Sequence, residues 1–187
     1  MRTLLAGVVG AIAMFLWSFV AHMALPLGEA GIKQISEANE PAVLNAMQSG
    51  IGNAPGMYLF PGTGGKRGSE AMKGYQQKLN ANPSGLLIYH PAGLIMKMPL
   101  MLGREFLTEF FEALVLAWML TQTRFTSYLG RVGFASVVGI LAAVVTNIPY
   151  WNWYGFPCSY TAAYMTMEIV AFLAAGLAIA ALIRPKA

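Results

Sequence analysis

The sequence predicts an all-α integral membrane protein, a four-helix transmembrane bundle with a small mixed extracytoplasmic domain inserted between helices 1 and 2. Hydrophobic residues make up 57% of the chain and charged residues only 11%, whereas about 25% of residues are charged in soluble domains. Long apolar runs lie towards both ends of the chain, and the polar residues are concentrated between them. We therefore expect the first transmembrane helix in residues 1–26, the extracytoplasmic domain in 27–103, and helices 2–4 with a short cytoplasmic tail in 104–187.

The first apolar run extends from Thr3 to Leu25 and contains no Lys, Arg, Asp or Glu. As a helix its 23 residues would measure about 34 Å, which is enough to cross the hydrocarbon core. A cleaved signal peptide is the alternative, because Arg2 supplies a positive start. The run is longer than the apolar part of a signal peptide and has no clear cleavage site. We therefore expect an uncleaved membrane anchor.

The polar insert that follows predicts a small domain of short helices and strands, because proline and glycine interrupt its apolar runs. The predicted elements are a helix over Glu29–Ala38, a helix from Asn39 to Gly50, strands Met57–Phe60 and Leu86–Tyr89 that could pair, and a helix Glu70–Leu79 capped by Ser69.

A glycine-rich segment within the insert, Pro61–Ser69, has some features of a phosphate-binding loop. Its spacing excludes that motif, because Phe60 stands where the first glycine is needed and Arg67 where Ser or Thr is needed. We expect a flexible basic loop around Lys66 and Arg67.

The end of the insert, Gly93–Leu102, is apolar but too short to span a membrane. We expect it to be a helix at the membrane surface, with the Lys97 side chain extended towards water. The alternative is an N-terminal extension of the second transmembrane helix, kinked near Pro99.

Three further apolar runs predict the other transmembrane helices, over Arg104–Gln122, Val132–Ile148 and Tyr160–Ile183. Small residues four positions apart allow close approach between membrane helices, and this spacing occurs at Gly7 and Ala11, Gly139 and Ala143, and Ala171 and Ala175. The same residues would also suit a helix surface that faces lipid, so both interpretations remain open.

Charge distribution predicts the orientation of the four helices. An even number of helices places both termini on one side, together with Arg2, the loop 124–131, and Arg184 and Lys186 of the tail. The loop Pro149–Ser159 on the opposite side carries no charge. Because positive charge marks the cytoplasmic side, we expect a protein of the cytoplasmic (inner) membrane with both termini cytoplasmic and residues 27–103 extracytoplasmic.

Three glutamates at the outer start of the second helix are the most informative feature of the chain. Glu105, Glu109 and Glu112 lie at positions i, i+4 and i+7, so they share one face of a helix. A carboxylate within the membrane costs at least about 2.5–3.5 kcal/mol on insertion scales, so we expect this face to point into the bundle. Glu168 lies at a similar depth in the fourth helix, roughly 12 Å from its outer end.

Each of the four predicted helices brings polar side chains to the outer half of the bundle. We predict a buried polar cluster of His22, Glu105, Glu109, Glu112, Asn147, Tyr164 and Glu168. Three interpretations stay open: a structural hydrogen-bond network; a divalent metal site formed by His22, Glu109, Glu112 and Glu168; or a proton-accepting carboxylate beside a quinol or another lipid-soluble substrate. No catalytic residue is assigned.

Outside this cluster the sequence contains no complete catalytic or nucleotide-binding constellation. Cys158 is the single cysteine, and we expect it to be a packed small residue; we expect His90 to be a surface turn residue. The basic residues are scattered, which argues against nucleic acid as a partner.

The predicted function is a non-catalytic accessory subunit or interaction module, with the lipid bilayer and other membrane subunits as partners. The alternative is a metal- or quinol-dependent membrane enzyme or carrier that uses the Glu/His cluster.

Overall fold

The computed structural model describes residues 1–65 and 68–183. Its elements in chain order are α1 (Arg2–Met23), a short 3-10 turn (Leu27–Glu29), α2 (Glu40–Ile51), β1 (Gly56–Phe60), α3 (Ser69–Ala81), β2 (Gly85–Tyr89), α4 (Met98–Gln122), α5 (Tyr128–Tyr154) and α6 (Cys158–Leu182). The chain divides into two compact units, one of Met1–Ile32 with the chain from Lys97 onward and one of Lys33–Met96. The predicted basic loop at Lys66 and Arg67 and the tail residues Arg184 and Lys186 lie outside the described residues.

The mostly helical architecture is confirmed, but the number of clearly apolar spans differs from the prediction. In the described part of the chain three helices, α1, α5 and α6, are long and apolar enough to cross a membrane. We predicted four. The helix α4 has 25 residues, yet Arg104, Glu105, Glu109 and Glu112 lower its apolar character.

Neighbouring helices of the first unit pack antiparallel to one another. In the pair α1 and α4, Gly7 faces Leu114 whereas the ring of Phe15 meets that of Phe106. Residue numbers therefore rise along one helix as they fall along the other. The helix α6 also packs closely against both α1 and α5. The helices α1 and α6 therefore lie in the middle of the arrangement. The helices α4 and α5 touch little, which leaves space between them.

Small residues make these close helix contacts possible, as their spacing predicts. All six residues of the predicted pairs are buried. An added Cβ at Gly139 would lie 2.5 Å from Cβ of Phe172, and one at Gly176 would lie 2.5 Å from Cβ of Ala135. The interpretation that the pairs mark helix contacts is confirmed, since neighbouring side chains occupy the space that a larger residue would need.

Helix boundaries differ from the prediction at two prolines. The separate surface helix predicted over Gly93–Leu102 is not present, because α4 begins at Met98 and places Pro99 in its first turn. Proline suits that position, where its missing N–H costs nothing. At the other boundary α5 continues through Pro149 to Tyr154. The next residue, Gly155, adopts the left-handed conformation with φ of 69° and ends the helix.

The predicted helix over Glu29–Ala38 does not form. Only the 3-10 turn Leu27–Glu29 is helical in this region. Gly31 has φ of 79°, a conformation that does not continue a helix. It also lies close to the start of α6, because an added Cβ would be 2.8 Å from the backbone nitrogen of Tyr160.

The second unit, Lys33–Met96, contains α2, α3 and a two-stranded antiparallel sheet in which Met57 is opposite Ile88. The predicted pairing of the two strands is confirmed. The hydroxyl of Tyr89 donates a 2.8 Å hydrogen bond to the carbonyl of Gly52, and the rings of Tyr89 and Tyr58 pack edge to face. These contacts attach one face of the sheet to the end of α2. The other face, with Met57 and Ile88, is exposed.

Candidate binding cavity

A cavity of about 480 Å³ lies among the helices of the first unit. Side chains from α1, α4, α5 and α6 line it. Its apolar wall is formed by Met14, Ala142, Met167, Ala171 and Phe172. Its polar wall consists of Ser18, His22, Glu105, Thr108, Glu109, Glu112, Thr146, Tyr164 and Glu168. The structure therefore brings together every member of the predicted polar cluster except Asn147. This residue does not line the cavity but donates a hydrogen bond to Glu168, which does.

The glutamate stripe of α4 faces the cavity as its helical spacing predicts. Glu105, Glu109 and Glu112 all line it. The opposite face of α4 is apolar and exposed at the protein surface, with Leu107, Phe111, Val115 and Trp118. This helix is polar towards its neighbours and apolar towards its surroundings, which is the arrangement expected of a membrane helix with a functional interior face.

Glu109 is the most deeply buried carboxylate of the cavity, with only 4% of its surface exposed. The hydroxyl of Ser18 donates a 2.7 Å hydrogen bond to its Oε1. Its Oε2 is buried and has no hydrogen-bond partner among the described residues. Sequence reasoning missed Ser18, although it lies four residues before His22 and therefore shares its helix face.

Glu168 is held by two neutral donors of α5. The Thr146 hydroxyl lies 3.0 Å from Oε1 and 2.9 Å from Oε2, and its single proton serves one of these oxygens at a time. The side-chain amide of Asn147 donates a 2.6 Å hydrogen bond to Oε2. Asn147, which we predicted to belong to the cluster, therefore contacts Glu168. Its neighbour Thr146 was not predicted as a member of the cluster.

Glu112 and Glu105 add two further carboxylic acids to the same space. Glu105 is exposed and His22 is too, so the predicted cluster is buried only in part. Glu112 is half-buried and lies close enough to Glu168 and Glu105 for their charges to repel. Glu112 and Glu168 therefore come together in the structure, since both line the cavity. The hydrogen bonds that Glu109 and Glu168 accept come from hydroxyl and amide groups, and the described residues bring no Lys or Arg side chain into the cavity wall.

His22 lies at the edge of the cavity and is exposed. Its Nδ1 is 2.9 Å from the carbonyl oxygen of Ser18 in its own helix, and its ring packs on Gly28. Among residues 1–65 and 68–183 no three His, Cys or acidic side chains are grouped closely enough to hold a metal ion. The four residues predicted as a metal site, which are His22, Glu109, Glu112 and Glu168, line the cavity without forming such a group.

Tyr164 also lines the cavity, and its ring stacks on that of Tyr160 with centroids 4.2 Å apart. Two other predicted positions lie elsewhere. Cys158 is exposed rather than packed and accepts a hydrogen bond of 3.3 Å from the indole of Trp151. His90 is exposed in the second unit, as expected of a surface turn residue.

The cavity combines apolar walls, strong hydrogen-bond acceptors and four carboxylic acids, and the described residues place no Lys or Arg in its wall. Sites for small molecules in proteins typically have this form, a concave apolar surface with a few polar groups that orient the ligand. Comparison with models of known families, with characterised proteins and with solved structures finds no match to this chain. The chemistry of the cavity is therefore the basis on which a function can be argued.

Proposed function

We propose that the protein is an integral membrane protein with four transmembrane helices, α1, α4, α5 and α6. The position of α4 supports this proposal. It packs antiparallel along α1, and its 25 residues would measure about 37 Å, which is enough to cross the hydrocarbon core. Its three glutamates line the cavity, so crossing the membrane would not place these carboxyl groups in lipid.

In this arrangement Arg2 and the loop between α4 and α5 lie at the same end of the bundle, because neighbouring helices are antiparallel. That end carries Arg124 and Arg131, and the loop Gly155–Pro157 at the other end has no charge. The positive-inside rule assigns the arginine end to the cytoplasm. We therefore place both termini in the cytoplasm, the cavity in the outer half of a cytoplasmic (inner) membrane, and the unit Lys33–Met96 outside the cell membrane.

We infer that the protein binds a lipid-soluble small molecule in this cavity and acts as a binding protein or carrier for it. The single observation that carries the proposal is a cavity of about 480 Å³ lined by Glu109, whose buried Oε2 has no hydrogen-bond partner among the described residues. A purely structural network would pair its polar groups with one another, because an unpaired buried acceptor costs about 1–3 kcal/mol. The sparse contact between α4 and α5 supplies an entrance from the bilayer.

The accessory or interaction role predicted from the sequence stays the second candidate. It is favoured by the exposed apolar side chains of the sheet in the second unit, Met57, Leu59 and Ile88, since exposed apolar patches commonly mark interaction surfaces. A failure of the cavity experiment below would leave this candidate as the better one.

A photoreactive diazirine derivative of octanol tests whether the cavity takes up a lipid-soluble molecule. We expect saturable labelling of Met14, Met167 or their neighbours in protein reconstituted into lipid nanodiscs, mapped by peptide mass spectrometry. Octanol in excess should displace the label. Ala142→Phe, which fills the cavity, should reduce the cavity labelling at least about tenfold, since a phenyl group removes much of the space.

Val145→Phe is the matched control, because Val145 lies on the same helix but is exposed at the outer surface. It should leave the labelling of the cavity unchanged. The proposal would be wrong if the label reacted only with surface positions of the helices, without saturation, and to the same extent in both variants.

A further inference from the structure

The charge of the cavity wall indicates which class of lipid-soluble molecule it accepts. Four carboxylic acids line it, namely Glu105, Glu109, Glu112 and Glu168. Their partners among the described residues are neutral hydroxyl and amide groups. Ionised carboxylates that share a poorly hydrated space repel one another, so a positively charged occupant would be stabilised here far more than a neutral one.

The unpartnered oxygen of Glu109 indicates where the head group of that occupant binds. Glu109 is more than nine-tenths buried, Ser18 already donates to Oε1, and Oε2 has no donor within the described residues. Buried acceptors in native structures are nearly always paired. Hydrogen bonds from a cationic N–H to a carboxylate are about twice as strong as neutral ones, so an ammonium N–H is the best donor for this position.

The remaining walls indicate the body of the ligand. Met14, Met167, Ala171 and Phe172 offer apolar contact, and Met side chains adapt to ligands of different shape. A quinol would supply a donor to Glu109 but would leave the negative charge uncompensated, and the side chains are not grouped as metal ligands.

We infer that the cavity binds a lipophilic organic ammonium ion, with its N–H group donated to Oε2 of Glu109 and its apolar body against the methionines and Phe172. The inference rests on the proposed function, since it names the ligand class of the same cavity. It requires a protonated amine with at least one N–H and an alkyl or aromatic body. A quaternary ammonium ion has the charge but lacks the donor, and a long-chain alcohol has the donor but lacks the charge.

Displacement of the octanol photolabel by three matched compounds tests this inference. We expect decylammonium to displace the label at a concentration at least about tenfold lower than either decyltrimethylammonium or decanol, because only decylammonium combines charge with an N–H donor. In Glu109→Gln this advantage should fall below about threefold. Glu29→Gln, which changes an exposed carboxylate of the 3-10 turn outside the cavity wall, should keep the full advantage.

The outcomes separate the two proposals. Loss of saturable labelling in the wild-type protein would overturn the proposed function itself. The ammonium inference alone would be overturned if all three compounds displaced the label equally, or if the advantage of decylammonium survived Glu109→Gln. Equal potency of decanol and decylammonium would also overturn it and would indicate a neutral donor such as a quinol. The wild-type comparison of the three compounds is decisive even if Glu109→Gln does not fold, and ratios between proteins cancel differences in partition into the lipid.

Discussion

Two buried charged side chains of the helical unit are stabilised in different ways. Within the part of the chain that the structure describes, Glu109 accepts one hydrogen bond from a neutral donor, and its other oxygen has no partner. Arg131, with 8% of its surface exposed, donates to the carbonyl oxygens of Ala180, Phe125 and Thr126. The acceptor Ala180 lies in the last turn of α6, where carbonyls lack helical partners and the helix dipole is negative. The arginine is therefore a structural group, whereas the glutamate is available for a ligand.

Replacing Arg131 by Met should lower the free energy of unfolding by about 2–3 kcal/mol, because several carbonyl groups lose a charged donor while the apolar stem is kept. Reversible unfolding of the protein in mixed detergent micelles measures this change. Arg124→Met is the control, since Arg124 is exposed, and it should change the stability by less than about 0.5 kcal/mol. Equal effects of the two substitutions would show that the contacts of Arg131 contribute little.

The helix α4 shows how much of an element can be predicted from residue spacing. The i, i+4, i+7 positions of its glutamates are enough to predict that they share a face and that this face points inward. The start of the helix was predicted incorrectly at Arg104, because Gly93–Leu102 was interpreted as a separate surface helix. The alternative, an N-terminal extension of this helix kinked near Pro99, is closer to the observed start at Met98. In the structure Pro99 lies in the first turn, where proline is favoured; a proline alone does not distinguish the two positions.

The helix pair α5 and α6 depends on glycine at its contact. Gly139→Ala should destabilise the protein by about 1–3 kcal/mol, since the new Cβ would lie 2.5 Å from Cβ of Phe172 and the helices must separate to accept it. Thermal unfolding in detergent measures the loss.

Gly133→Ala in the same helix is the matched control. No atom lies within 4 Å of the position that its Cβ would occupy, and alanine favours helix over glycine by up to about 1 kcal/mol. This variant should be as stable as the wild type or more so. A destabilisation of the same size in both variants would contradict the close contact between α5 and α6.

At the scale of the whole molecule, the proposed topology depends on whether α4 crosses the membrane. A membrane-impermeant maleimide applied to spheroplasts distinguishes the possibilities, in a Cys158→Ser background that removes the native thiol. We expect Asn53→Cys, in the second unit, to react at once. Thr126→Cys, in the loop between α4 and α5, should react only after permeabilisation, since the proposed four spans place that loop in the cytoplasm.

Three spans instead of four would change this pattern. If α4 did not cross, the loop with Thr126 and the unit with Asn53 would lie on the same side, and both cysteines would react in intact spheroplasts. Stability of the two single-cysteine variants should match that of the Cys158→Ser parent, so that labelling reports location rather than unfolding.

The apolar and mostly helical character of the chain and the face shared by the glutamates were determined by the sequence itself, because hydropathy and helical spacing depend only on the order of residues. Counting from the predicted helix ends placed Glu112 and Glu168 at a similar depth, but α4 begins at Met98 rather than at Arg104, so their meeting depends on how the helices pack. The burial of the small-residue pairs needed coordinates to decide between helix contact and lipid contact. Within the described residues, these pairs form contacts that no single-helix argument could have assigned.

Only the tertiary structure decided which polar groups meet and which remain without a partner. Ser18 bonds to Glu109, Thr146 and Asn147 bond to Glu168, and His22 returns to its own helix. These pairings depend on the rotation and axial offset of each helix against its neighbours, which arise from contacts spread over the whole bundle. The space between α4 and α5 has the same origin, because a cavity is a property of how helices pack and has no signal in the sequence of any one of them.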